Sequence, residues 1–226
     1  MANVVLVHGL WVDGSSWRLV TEGLQEGGHN VTAVQLPHSS LTDDVAEVRR
    51  VLARQEGPTI LVGHCYGGAV ISGAAHGSSQ VTGLVYVAAA APAEGETALE
   101  AMSRFSPGWL HAALADAEGP LTLPRERFRD VLAADVPDYE ARVMAASQKP
   151  VAEACLTEMS GPVAWRRLPS WYVLCTQDRL VTPETQTWMI DRLGANPLTI
   201  DASHAIPVSQ PALVTEAIEG AARKLA

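Results

Sequence analysis

Residues 59–75 read TILVGHCYGGAVISGAA. The first residues form a short β-branched run that is apolar on both faces, the pattern of a strand covered by helices on each side. The last seven, AVISGAA, fit a helix. Between them stands Gly63-His64-Cys65-Tyr66-Gly67-Gly68, a small-x-nucleophile-x-small-small hexad at a strand-to-helix turn. So sharp a turn strains its central residue and tolerates only glycine at the contacts on either side. The stretch therefore predicts a nucleophile elbow presenting Cys65, against the plainer reading of a glycine-rich turn around a buried thiol.

Outward from the elbow, similar runs recur at VVLVHG (4–9), NVTAVQL (30–36), VTGLVYVAA (81–89), SWYVLCT (170–176) and NPLTI (196–200). Amphipathic stretches separate them. Ser15 or Ser16 can cap a helix reaching Gln25, and Thr42 or Asp43 can cap one that ends before Gly57-Pro58. Pro183 opens a helix that ends at Gly194, and a last helix spans about 210–225 with Pro211 in its first turn. The alternation predicts an α/β fold, a mostly parallel, doubly wound sheet of about six strands. From Pro92 to Leu168 no strand pattern occurs, and helix-compatible pieces are punctuated by prolines. That predicts a helical lid at 92–168, inserted after the fourth strand into a core formed by 1–91 and 169–226.

Composition narrows the function. A chain of 226 residues suits one domain with an elaboration. Its 16 basic and 25 acidic residues give a net charge of −9, which disfavours nucleic acid and anionic membranes as partners. Three cysteines, Cys65, Cys155 and Cys175, make a poor disulfide framework and fit a reducing cytoplasm. The N-terminus MANVVLVHGLW lacks a basic leader and is broken by His8 and Gly9, so it reads as a strand. There is no HExxH, no Cys-x-x-Cys and no phosphate loop, so neither metal nor cofactor is expected.

A nucleophile at an elbow needs a base, and the base needs an orienting acid, in chain order after it. Asp178 follows the strand SWYVLCT, and His204 follows NPLTI, each where a strand delivers its loop to the reactive edge. Asp201 competes as the acid, but lies only three residues before His204 and is read as steadying the loop. The turn His8-Gly9-Leu10 closes the first strand. It can aim the Leu10 N–H at the spot faced by the Tyr66 N–H, making an oxyanion hole. His8 itself is read as a packed, hydrogen-bonded histidine.

HGLWVDGSSW, VTAVQLPHSSLTDDV, GHCYGGAVI, LVYVAAAAP, PSWYVLCTQDRLVTP and ASHAIPVSQPALV together resemble the α/β-hydrolase superfamily. Within it the chain is similar to compact bacterial hydrolases akin to plant methyl esterases and hydroxynitrile lyases. The resemblance implies residue 65 as nucleophile, Asp178 as acid, His204 as base, and Leu10 and Tyr66 as oxyanion donors. Most relatives carry serine where this chain carries Cys65. Three readings follow: a native thiol nucleophile forming a thioester, a cysteine engineered into a serine elbow to trap an acyl-enzyme, or a binder that has lost hydrolysis. The expected substrate is a small, largely apolar ester, lactone or thioester, in a crevice lined by Trp11, Trp165, Trp109, Phe105 and Met102. Acyl transfer to an amine or thiol is the alternative chemistry. A cyanohydrin-type lyase is another; it would want a lysine near the base, for which Lys149 is the lid's only candidate. A small-molecule acyl substrate is the one partner implied, with a homodimer left open.

Overall fold

The computed structural model describes residues 2–105 and 119–225. Six strands, β1 (Asn3–Val7), β2 (Asn30–Ala33), β3 (Thr59–His64), β4 (Val81–Val87), β5 (Ser170–Cys175) and β6 (Asn196–Ile200), form one sheet in the order β2-β1-β3-β4-β5-β6. Every pairing is parallel. Strand order reverses at β1, with β2 on one side and β3 on the other, so the crevice lies where the C-terminal ends of β1 and β3 meet.

The alternation of side chains along each strand divides the core in two. Val4 and Leu6 of β1 join Ile60, Val62, Val85 and Val87 on the face covered by α1 (Arg18–Glu26) and α9 (Pro211–Leu225). Trp17 is fully buried there. Val5, Val7 and Leu61 point to the other face, under α2 (Leu41–Leu52) and α3 (Gly67–Ala74). The two edge strands depart from the pattern of apolar residues on both faces. Asn196–Thr199 of β6 are exposed, and Pro197 is tolerated because an edge position needs no further ladder donor.

Two helix starts differ from the sequence expectation. Asp13, not Ser15 or Ser16, caps the turn before α1, its carboxylate accepting the Ser15 N–H at 2.8 Å. Ser40, not Thr42 or Asp43, caps α2, its hydroxyl accepting the Asp43 N–H at 3.0 Å. In each case the extended residue lies a little earlier than the first good helix former suggests, because a cap must itself be non-helical. Thr182 caps α8 (Pro183–Leu193), with proline at its first position and Gly194 closing it at φ 59°.

Between β4 and β5 the described residues form α4 (Ala98–Met102), α5 (Arg125–Leu132), α6 (Asp138–Ser147) and α7 (Ala154–Thr157), a 3₁₀ turn at Ala164–Arg166 and two isolated bridges. Backbone bonds tie this segment to the loops of the reactive edge: Lys149 N–H to the Trp11 carbonyl (3.2 Å), Ala152 N–H to His38 (3.0 Å) and Ala205 N–H to Leu132 (2.8 Å). Among the described residues no helix is long and apolar enough to cross a membrane.

Candidate active site

Backbone strain marks one edge of the sheet. Among the described residues, the non-glycine positions with positive φ are Trp11 (60°), His38 (60°), Cys65 (54°) and Ala88 (45°). Each lies in the connection leaving the C-terminal end of one of the first four strands, and conformations this costly persist where the surroundings over-determine them.

Cys65 is held by its neighbours' lack of side chains. A Cβ on Gly63 would stand 2.6 Å from the Gly67 carbonyl oxygen, and one on Gly67 would stand 2.5 Å from that of Val7. A Cβ on Gly9 would stand 2.5 Å from the Cys65 Cβ, so the His8-Gly9-Leu10 turn packs directly on the elbow. The register pairing Val7 with Gly63 produces this approach. Cys65 accepts from the Gly68 N–H (3.2 Å) and the Ala90 N–H (2.9 Å) through its carbonyl, and donates its N–H to Val87 (3.2 Å).

Asp178 and His204 meet from the loops after β5 and β6. The Nδ1–H of His204 donates to Asp178 Oδ2 at 2.7 Å, with both side chains fully buried. A carboxylate only accepts, so the proton of the neutral ring sits on Nδ1 and leaves Nε2 as the base. Nε2 is buried without a partner of hydrogen-bond geometry, while Cys65 is the group besides Asp178 that acts on the ring. Burial disfavours the imidazolium, but Asp178 and Cys65 outweigh it and raise the His204 pKa above its ordinary value.

The loop bearing His204 is gripped on two sides. His64 Nε2–H donates to the His204 carbonyl at 2.8 Å, with the two rings 4.7 Å apart. On the other side, Asp135 accepts from the Ser203 N–H (3.0 Å) and from its hydroxyl. Asp201 is exposed and binds Thr176 (2.7 Å) and Gln177 (2.9 Å), steadying the strand ends as the sequence suggests.

Residues 4–217 match the model of the alpha/beta hydrolase family. The chain belongs to that family. An esterase of Nocardioides sp. that hydrolyses carbendazim is 35% identical over 165 residues, covering 63% of this chain and 67% of its own. A pyrethroid hydrolase from Sphingobium faniae superposes with a TM-score of 0.82 at 26% identity, over 97% of this chain and 96% of that one. A methylesterase protein from Arabidopsis superposes with a TM-score of 0.82 at 16% identity over 99% of each chain, a likeness of fold.

In this alpha/beta hydrolase the residues expected to line a crevice are dispersed. Trp11 and Met102 are buried on the same face of the core as Cys65, and Trp165 packs against that face, which also holds Leu10 and Tyr66 of the expected oxyanion hole. The Trp11 indole donates to the Leu121 carbonyl (3.2 Å), and that of Trp165 to Pro92 (3.1 Å). Phe105 is 54% exposed and lies edge-on to Trp188, on an open depression rather than in a closed crevice. Trp109 lies outside the described residues. Trp171 and Trp188 are half-buried, and Trp188 stacks against Arg192 and Arg104.

Three features escape a reading of sequence. Asp44 is fully buried, accepting from the Tyr66 hydroxyl (2.8 Å), the His38 N–H (2.8 Å) and the Cys155 thiol (3.6 Å). Gln186, also fully buried, binds Asp178. Lys149 donates to the Leu36 carbonyl, and its charge acts on His8, His38, Asp13 and Asp44. That places the lysine among the connections that follow β1 and β2. His8 is the packed histidine expected, accepting the Leu36 N–H at 3.0 Å and donating to the Gly9 carbonyl at 2.9 Å. All three cysteines are free and buried, and burial pushes the Cys155 thiol up to about 12. Among the described residues no cluster of His, Cys, Asp and Glu is placed to hold a metal ion.

Proposed function

We propose that the chain hydrolyses small, largely apolar carboxylic esters, lactones or thioesters through an acyl-Cys65 intermediate. The observation that carries this reading is the His204–Asp178 bond at 2.7 Å, which leaves Nε2 bare and buried beside a strained Cys65. His204 takes the thiol proton, and the thiolate attacks the substrate carbonyl. The N–H groups of Leu10 and Tyr66 hold the developing oxyanion, aided by the positive end of α3, which begins just after Cys65. His204 returns the proton to the leaving group, then draws one from water as it attacks the thioester, regenerating Cys65. Hydrolysis as the class of reaction is supported by relatives that are themselves an esterase and a pyrethroid hydrolase. The apolar acyl group is supported by Trp11, which lies in the β1 connection two residues after the Gly9 that packs on the elbow.

Turnover of p-nitrophenyl acetate tests the reading. Cys65→Ala should abolish it while the thermal transition is retained, and unchanged turnover in that variant overturns the assignment. Cys65→Ser, assayed alongside, should be no faster than the parent. A serine form that alone turns over would mark the cysteine as a trap.

A further inference from the structure

We infer that Gln186 is a positioning residue whose carboxamide, locked by two backbone groups, fixes which oxygen of Asp178 faces His204. The inference rests on the roles proposed above for Cys65, His204 and Asp178. Gln186 lies on the first turns of α8, eight residues after Asp178, where the helix folds back under the acid's loop. Its Oε1 accepts the Cys175 N–H at 3.0 Å, and its Nε2 donates to the Val181 carbonyl at 2.7 Å and to Asp178 Oδ2 at 2.9 Å. A backbone N–H can only donate and a carbonyl can only accept, so the amide has one orientation. Flipped, it would set its oxygen against two acceptors and leave the Cys175 N–H buried and unpaired, with the full desolvation penalty of a lost donor. The remaining N–H is therefore always aimed at Asp178.

The carboxylate is then held from four directions. Oδ1 accepts the Leu180 N–H (2.8 Å) and the Val181 N–H (2.9 Å), and Oδ2 accepts from Gln186 (2.9 Å) and His204 (2.7 Å). The backbone pair alone anchors one oxygen and leaves the carboxylate free to swing about that anchor. Gln186 stops the swing at the oxygen that orients His204. A neutral donor suits the position, since a cation there would compete with the imidazolium for the same charge. Gln186 also ties the end of β5 to α8, so loss of stability on substitution does not by itself distinguish positioning from scaffolding.

The test uses Gln186→Met, which keeps length and removes every donor, and Gln186→Glu, which keeps shape. The rate of Cys65 alkylation by iodoacetamide is followed against pH by mass spectrometry of its peptide, beside p-nitrophenyl acetate kinetics and thermal melting. His204→Gln is the reference. Gln186→Met should label Cys65 about tenfold more slowly at neutral pH and lose a similar factor in kcat with KM unchanged, as removal of a group orienting a catalytic ligand does. Gln186→Glu should approach the parent at acidic pH, where its carboxyl carries a proton to donate, and fall to the methionine variant's rate as pH rises. A parental pH profile and kcat in both variants, with only melting lowered, overturns the inference. Should Gln186→Met not fold, the pH dependence of Gln186→Glu decides alone. An unchanged labelling profile in His204→Gln removes the base itself and, with it, both readings.

Discussion

At Cys65 the backbone stands at φ 54°, and the surrounding glycines are dictated by contact rather than by taste. Gly67→Ala would drive a methyl to 2.5 Å from the Val7 carbonyl oxygen, at the junction of β1 and β3. Overpacking of this kind costs about 3 kcal/mol, so urea denaturation should show a loss of that order, together with loss of turnover. Asp178→Asn keeps the shape of the acid but offers its own N–H groups where acceptors are needed, so His204 can take the wrong tautomer. A fall in kcat of roughly 10⁴-fold is expected, as for serine triads. A fall of less than tenfold would show that Asp178 does not orient the base. The elbow was legible because glycine at fixed spacing is a steric statement, and Asp178 and His204 because they follow strands. Gln186 and Asp44 were not legible. A glutamine on a helix and an aspartate in a helix's first turn look like surface residues, and only the packing of α8 and α2 turns them inward.

Among the elements, helix beginnings are less legible in the sequence than strands. The strands declared themselves because an apolar run between turn residues has few other uses. A cap depends on the φ and ψ of one residue, which neighbouring Ser, Thr and Asp residues leave ambiguous, as at Ser40, Thr42 and Asp43. Ser40→Ala should therefore lower stability by about 1 kcal/mol, read as a shift in the urea midpoint. Thr42→Ala should not do so through capping, although its hydroxyl bonds Glu158 at 2.7 Å across to the inserted segment. That segment shows what periodicity leaves out. Prolines and helical pattern announced helices, but not that its backbone would bind the connections carrying Trp11, His38 and His204.

Among the described residues His8, His38 and His64 are buried and held neutral, and the stability of the whole molecule should follow. Burial, helped by the Lys149 charge, lowers His8 to about 4; burial, His8 and Lys149 lower His38 to about 3. Burial beside His204 holds His64 well below the ordinary value. The unfolded chain takes up these protons near pH 6.5 and the folded chain does not. Stability from these groups is thus complete above about pH 6.5 and is lost as pH falls, with His8 alone worth about 3 kcal/mol by pH 4. Asp44, raised by burial, opposes the loss as one group against three. His204, raised by Asp178 and Cys65 against its burial, acts in the other window, its contribution declining as pH rises from 6.5. Melting temperatures across pH 4–9 should peak near neutrality, and a flat profile from pH 7 to 5 would contradict the burial of neutral imidazoles. The central claim is that the acyl group passes through Cys65. Rapid acid quench during turnover of p-nitrophenyl acetate, followed by peptide mass spectrometry, tests it most directly. One acetyl group on the Cys65 peptide, absent in Cys65→Ala, is the predicted result. Turnover with the Cys65 peptide unmodified and the Cys65→Ala variant still active would contradict it.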